Sequence, residues 1–332
     1  MFNNVVGVSL VLVFCSSVAY GGELDADAVD AFVTEIAAEH DFDRQEVAKT
    51  LKQAKRSDRT LKAMRRPAEK AKPWYEYRKH FLTQKRINAG VKFWGLNAET
   101  LIEASKIYGV PAEIIVAIIG VETAYGEIVG SDRVVDALAT LAFHYPNKNA
   151  KRMAYFRAQL KHLFLLGREQ SLDVSSLSGS YAGAMGIPQF MPESYRKFAV
   201  DFNQDGVSNI WQDRVDSIGS VANYLKSHGW ERDEAIVVAA VVNGVDVSSL
   251  LSRRLKPRRH ISEYTSFGIR VEKTVDDVLA ALFTLEGEAN PEYWFALNNF
   301  YVIMRYNPRT KYAMAVVKLA EAIRDARLKS IS

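Results

Sequence analysis

Apolar positions along the chain recur mainly at intervals of three and four residues. Val29, Phe32, Val33 and Ile36 share one face of a helix that opens after Glu23, and Val47 with Leu51 repeats the spacing. Residues 86–108 predict one or two more helices closed by Gly109, and residues 136–170 are again helical, with Leu138, Leu141, Leu160, Leu163 and Phe164 as core candidates. Near the end, FYVIMRYN at 300–307 precedes an amphipathic segment over 312–328. The period changes only between about 234 and 290. There, 236–242 is a β-branched run and 264–271 alternates, with Phe267, Ile269 and Val271 facing one way, so a small sheet is expected. The pattern predicts a mainly α, α+β protein without internal repeats.

One helix breaks the polar-apolar rule. VPAEIIVAIIGVETAYG at 110–126 offers Pro111 for a first helical position and then Ile114, Ile115, Val116, Ile118, Ile119 and Val121, which leave almost no polar face. This reads as a buried central helix with Glu122 at its end. A carboxyl desolvated by such neighbours holds its proton to higher pH than a free glutamate, as a general acid requires. Taken alone, Glu122 is better explained as a structural residue, hydrogen-bonded or exposed near a helix terminus, because functional acids are rare.

Composition narrows the class. The 332 residues are 48% hydrophobic and 25% charged, enough for two or three subdomains around a substantial core. A net charge of +4 suits an anionic polymer as partner but falls short of a nucleic-acid signal, and no RNA or DNA motif accompanies it. The N-terminal run from Val5 to Phe14 is too short to span a bilayer and reads as the apolar part of a secretory signal covering 1–21, although no Lys or Arg precedes it. Export is therefore expected. The single cysteine, Cys15, lies within this segment; the bulky Phe14 before it is a poor match to a lipoprotein signal, so lipid anchoring is the lesser expectation. A mature chain without thiols has neither disulfides nor cysteine-ligated zinc.

Three further stretches carry candidate chemistry. Between Lys49 and Lys79 stand twelve Lys/Arg against three acids, either a solvated helix face or an attraction to a polyanionic surface, followed by Trp74, Tyr75 and Tyr77 as core or as a platform for sugar rings. SGSYAGAMGIPQFMPESY at 178–195 is too rich in small residues and Pro to be one regular helix and permits close backbone approach. DFNQDGVSNIWQD at 201–213 places Asp201, Asn203 and Asp205 at the first, third and fifth positions of a calcium loop and Gly206 at the sixth. Gln212 stands where a bidentate Glu belongs, so calcium and an Asx-rich turn are both open, with Asp213 or Asp216 able to close the site.

GVETAYG at 120–126, SYAGAMGIPQFMPESY at 180–195, the calcium-like loop, VANYL at 221–225 and YNPRTKYAMAV at 306–316, in this order, resemble the membrane-bound lytic transglycosylase B family of murein-degrading enzymes. The resemblance implies a lysozyme-like catalytic core over 76–127, 176–233 and 291–332, an additional helical domain over 22–75 and 128–175, and a small β-containing domain over 234–290. It assigns the catalytic acid to Glu122. Ser180 and Gln189 match cleft residues that bind the sugar and its N-acetyl group, and Tyr224 matches a tyrosine close to the acid. Tyr77 (or its neighbour Tyr75), Tyr306, Asn307 and Tyr312 match other cleft positions. The metal loop maps to Asp201, Asn203, Asp205, the Val207 carbonyl and Asp216, for a structural calcium with no cofactor in the chemistry.

The matched motifs offer one acid where ordinary glycosidases use two. The activity implied is cleavage between N-acetylmuramic acid and N-acetylglucosamine without water, leaving a 1,6-anhydromuramyl end. A hydrolytic muramidase on the same scaffold and a non-catalytic wall-binding protein are the alternatives. Peptidoglycan strands are the expected partner, together with wall-synthesis or hydrolysis enzymes, for a periplasmic monomer.

Overall fold

The computed structural model describes residues 22–65, 72–252, 254–272 and 276–331; the secretory-signal segment and Cys15 lie outside them. The central helix is Ala112–Thr123, with every side chain from Ile114 to Ile119 buried. Pro111 caps it from one position before its first turn, where its fixed φ of −59° needs no N–H donor. Helices Gln84–Leu96, Ala98–Tyr108, Arg214–Ser227 and Thr310–Ile331 pack around it. A helix enclosed on all sides has no use for a polar stripe, which is why its sequence shows none. Truncating any of these isoleucines to Ala costs about 2–5 kcal/mol.

Helices Val134–His144 and Ala150–Glu169 pack on each other, and Pro192–Phe198 lies on the second. The expected helix over the N-terminal apolar stripe is Ala26–His40, with Phe32, Val33 and Ile36 buried, and Arg44–Gln53 buries Val47 and Leu51. Gly109, at φ +76°, ends Ala98–Tyr108 in the left-handed conformation expected of it. Asp136, 3% exposed, anchors the stretch after Arg44–Gln53 by accepting from the Lys55 N–H at 3.1 Å and from the Arg133 guanidinium at 3.2 Å. Among the described residues no single helix is long and apolar enough to cross a membrane.

The sheet is antiparallel throughout, in the order Arg259–His260, Leu279–Leu285, Glu292–Ala296, Val237–Val242, Ile269–Val271. It runs past residue 290. Its two faces are both covered: Ala281, Phe283 and Leu285 join the main core, while Ala280 and Leu282 pack with Phe295, Ile269 and Tyr264 in a second cluster. The alternation expected over 264–271 is only partly realised, because Ile261–Thr265 is a short helix and Phe267 is 47% exposed, leaving Ile269–Val271 as strand. At the sheet's tip Glu286 accepts from the Trp74 N–H at 3.3 Å and pairs with Lys311 at 3.2 Å, drawing the tip onto residues 72–77.

Candidate active site

The central helix ends abruptly beside Glu122. Ala124 (φ 50°), Tyr125 (φ 67°) and Gly126 (φ 91°) are three consecutive left-handed residues, two of them non-glycine, and each of those two costs on the order of 1–3 kcal/mol that the surroundings must supply. The surroundings are visible. Tyr125 folds back against the helix, where a Cβ on Gly120 would lie 2.6 Å from its ring and one on Gly90 2.6 Å from its hydroxyl. Its hydroxyl donates to the Arg86 carbonyl at 2.9 Å, and the Arg86 guanidinium donates to the Gly120 carbonyl at the helix end. Buried Thr123 donates to the Ile187 carbonyl at 2.9 Å and accepts from the Gly126 N–H at 3.0 Å. Both flanks of Glu122 are thereby held, and its side chain is left partly exposed.

The Tyr312 hydroxyl donates to Glu122 Oε1 at 2.6 Å. Tyr312 is 2% exposed, and burial followed by the Glu122 charge pushes its proton affinity well above the ordinary tyrosine value, so it remains a donor throughout the working pH range. Tyr306 is raised by the same two causes, and its hydroxyl donates to the Pro188 carbonyl at 2.6 Å. Tyr224, expected close to the acid, donates instead to the Arg305 carbonyl at 2.6 Å, and its ring lies 4.7 Å from that of Tyr306. Tyr312 is thus a direct tyrosine partner of the acid, and Tyr224 stands behind the ring of Tyr306. Asn307 follows Tyr306 at its helix end, partly exposed, its side-chain amide without a hydrogen bond among the described residues.

The small-residue segment becomes a folded loop against this end. Ser178–Gly179 pairs antiparallel with Asp132–Arg133, and Met185 bridges to both Gly179 and Phe190. Ser180 Oγ accepts the N–H groups of Ala182 at 3.3 Å and Ala184 at 3.1 Å, which leaves its own proton free to donate. Gln189 sits at φ 54°, and its Nε2 donates to the carbonyls of Val129 at 3.0 Å and Gly186 at 2.9 Å. Only the NH₂ end of an amide can face two carbonyls, so Oε1 is the end left for a ligand. Thr123, Tyr125 and Arg86 were not singled out by sequence reasoning. The glycine at 120 followed by an aromatic at 125 was the available signal for one of them.

Tyr77 is only 5% exposed, its ring 6.4 Å from Trp74 and 5.2 Å from Phe81. Phe81 in turn carries the Arg86 guanidinium at 5.4 Å from its centroid, which connects this cluster to the acid's helix. Trp74 and Tyr77 are core residues rather than an open platform, while Tyr75 is half-exposed.

In the 201–216 loop the oxygens are largely engaged by the loop's own amides. Asp201 accepts from the N–H groups of Asp205 at 3.1 Å and Gly206 at 2.7 Å, and Asp205 from that of Val207 at 3.0 Å. Asp216, fully buried, accepts from Phe202 at 2.8 Å and Asn209 at 2.7 Å; burial raises its proton affinity against those bonds. Among the described residues no three acid, His or Cys side chains converge with metal-holding spacing in this conformation, and Asp216, through the amides of Phe202 and Asn209, organises the loop. Asp213 caps helix Arg214–Ser227 and also faces the loop. The donor types nevertheless suit a hard cation: the Asn203 Nδ2 donor stands between the carboxylates of Asp205 at 3.2 Å and Asp213 at 2.8 Å, a position where positive charge is favoured.

An acid at the open end of a buried helix, in a mainly α fold with an appended sheet, is the arrangement of a lysozyme-like lytic transglycosylase. Residues 25–321 match the model of the transglycosylase SLT domain. The chain is 42% identical over 308 residues to membrane-bound lytic murein transglycosylase B of Escherichia coli K12, covering 90% of this chain and 83% of that protein. Among solved structures it is similar to the soluble lytic transglycosylase SltB1 of Pseudomonas aeruginosa, with 47% identity, TM-score 0.83, and coverage of 90% of this chain and 99% of that one. It is also similar to the Escherichia coli lytic transglycosylase Slt35 in complex with calcium, with 41% identity, TM-score 0.81, and coverage of 91% and 94%. The chain belongs to the SLT lytic transglycosylase family.

Proposed function

We propose that the protein cleaves the β-1,4 bond between N-acetylmuramic acid and N-acetylglucosamine in murein without water, with Glu122 as its single acid and base. The observation that carries this reading is the Tyr312–Glu122 hydrogen bond of 2.6 Å, in a cleft whose tyrosines Tyr306 and Tyr312 both sense the Glu122 charge. The side chains that the family resemblance assigns to the cleft beside Glu122 are a serine, amides and tyrosines, with no second carboxylate among them.

Protonated Glu122 gives its proton to the bridging oxygen as the C1–O bond breaks, and the N-acetylglucosamine end departs as an alcohol. The cation left at muramyl C1 is met by the acetamido oxygen of the same sugar, the substrate-assisted solution to a missing second carboxylate. Glu122, now a carboxylate held by Tyr312, takes the proton of the C6 hydroxyl while that oxygen bonds to C1 and displaces the acetamido oxygen. The product is a 1,6-anhydro ring and Glu122 is again protonated. Ser180 and the Oε1 of Gln189 orient the acetamido group, one donating to its oxygen and the other accepting from its N–H. Tyr224, Tyr306 and Asn307 shape the wall, and Tyr77 supports the acid's helix through Phe81 and Arg86.

Digestion of purified murein followed by mass measurement of the fragments tests this. Muramyl ends lighter by one water than reducing ends are expected; reducing ends alone would make the enzyme a muramidase. Murein lies outside the cytoplasmic membrane, and with the 1–21 export segment the working site is the periplasm.

Calcium is proposed as a structural ion in the 201–216 loop. Asn203 would turn its amide oxygen toward the ion, joining Asp201, Asp205 and the Val207 carbonyl, with Asp216, or Asp213 beside it, supplying the closing carboxylate. Because the ion binds only the folded loop, calcium at a hundredfold excess over Kd should add about 2.7 kcal/mol of stability and raise Tm. If Tm after chelation is unmoved by added calcium, the loop is an Asx turn.

A further inference from the structure

Tyr224 is held from behind by a residue the cleft does not otherwise involve. His228 caps helix Arg214–Ser227 and lies one turn beyond Tyr224 on the same face. Its ring stacks on Tyr224, with centroids 4.1 Å apart and planes 24° from parallel, and is flanked by Phe198 at 4.8 Å. Its Nδ1 is 2.7 Å from the Tyr224 carbonyl. A carbonyl can only accept, so Nδ1 carries the hydrogen. Burial, with Arg305 and Lys197 nearby, lowers the proton affinity of the ring, which is therefore neutral at neutral pH, with a bare Nε2. The ring borders an open cavity of about 470 Å³ lined also by Asn298, Tyr301 and Leu279 of the sheet.

We propose that His228 is a positioning residue for the reaction, clamping Tyr224 by ring face and backbone carbonyl and, through Tyr224, setting the cleft wall that carries Gln189. The connection is continuous. Tyr224 donates to the carbonyl of Arg305, the residue before Tyr306; Tyr306 donates to the carbonyl of Pro188, the residue before Gln189. The ring of Tyr224 also contacts Phe190, just after Gln189, at 5.6 Å. With the imidazole removed, the cavity extends to the Tyr224 ring, which loses its stacking partner and one determinant of its rotamer. The wall then samples positions in which Gln189 no longer meets the acetamido group, and small misplacements of this kind are costly for turnover.

This inference rests on the Glu122-centred reading, and the experiment separates the two. His228→Ala, His228→Phe (ring kept, donor lost) and His228→Asn (donor kept, ring lost) are compared with wild type on soluble peptidoglycan strands, with kcat, KM and Tm measured for each. His228→Ala is expected to lower kcat about 10-fold with KM within about twofold. Phe and Asn should each recover part of the loss, and millimolar imidazole should restore part of it to the Ala variant by refilling the cavity. In a Tyr224→Ala background, His228→Ala should cost less than about twofold more, because its partner is already gone. A kcat within twofold of wild type in His228→Ala, or an undiminished effect in the Tyr224→Ala background, overturns the role. A fall in Tm matched by equal losses in all three variants, without rescue, also overturns it and leaves His228 merely structural. Should His228→Ala fail to fold, Phe and Asn carry the comparison. Activity retained in Glu122→Gln, run in parallel, sinks the underlying mechanism instead.

Discussion

Glu122→Gln should reduce murein cleavage by about two to four orders of magnitude, the usual contribution of a positioned acid-base group, while leaving the fold intact. The amide has nearly the same shape, and its Oε1 can still accept the Tyr312 hydroxyl that now lies 2.6 Å from the carboxylate. Thr123 and Arg86, which hold the helix end, are untouched. What the amide cannot do is donate a proton to the departing oxygen or remove one from the C6 hydroxyl, so both halves of the cycle fail together. The check is the rate of anhydromuropeptide release, with Tm measured on the same preparation. Wild-type release by a folded Glu122→Gln protein would falsify the assignment of the acid.

Gly130→Ala should also impair the enzyme, from a residue outside the matched cleft positions. Gly130 sits at φ +87°, and a Cβ there would lie 2.2 Å from the Gly179 carbonyl oxygen and 2.7 Å from the Ser180 N–H nitrogen. Both are backbone atoms, so no rotamer change relieves the contact; either the loop carrying Ser180 and Gln189 or the chain leaving the acid must move. The Val129 carbonyl, which fixes the Gln189 amide at 3.0 Å, is adjacent and would move with it. A loss of about 2–4 kcal/mol in stability and at least about tenfold in turnover is expected. Gly95→Ala is the matched control. It lies within helix Gln84–Leu96, where an added Cβ would meet nothing within 4 Å, and should stabilise by up to about 1 kcal/mol. Denaturant unfolding and murein turnover measure both variants; equal, near-wild-type behaviour of the two would show that the close approach at 130 has no functional weight.

Much of the helical framework was legible because helix burial is a local signal. Phe32, Val33 and Ile36, or the unbroken run from Ile114 to Ile119, announce their faces by spacing alone. The strand Leu279–Leu285 was not individually legible for the opposite reason: both of its faces are covered, so the sequence LAALFTL shows no alternation from which a strand could be told from a helix segment. The helix Ile261–Thr265 interrupted an apparent alternation that only packing could adjudicate. In the calcium-like loop, residue types were readable, but the engagement of Asp216 with the amides of Phe202 and Asn209 depends on a turn that brings residues fourteen and seven positions away onto one carboxylate.

The sequence by itself determined that an acid stands at the end of an apolar helix, that a small-residue loop can approach backbone closely, and, through matched motifs, which family these features belong to. Periodicity, glycine placement and residue type are properties of neighbouring positions, and they survive without coordinates. The tertiary structure alone decided that Tyr312, 190 residues away, is a direct partner of Glu122, that Tyr224 braces Tyr306 from behind, and that Gln189 presents its oxygen and not its nitrogen. Each of these is a hydrogen bond or ring contact between distant segments, and its geometry follows from how the central helix is enclosed, which no local pattern encodes.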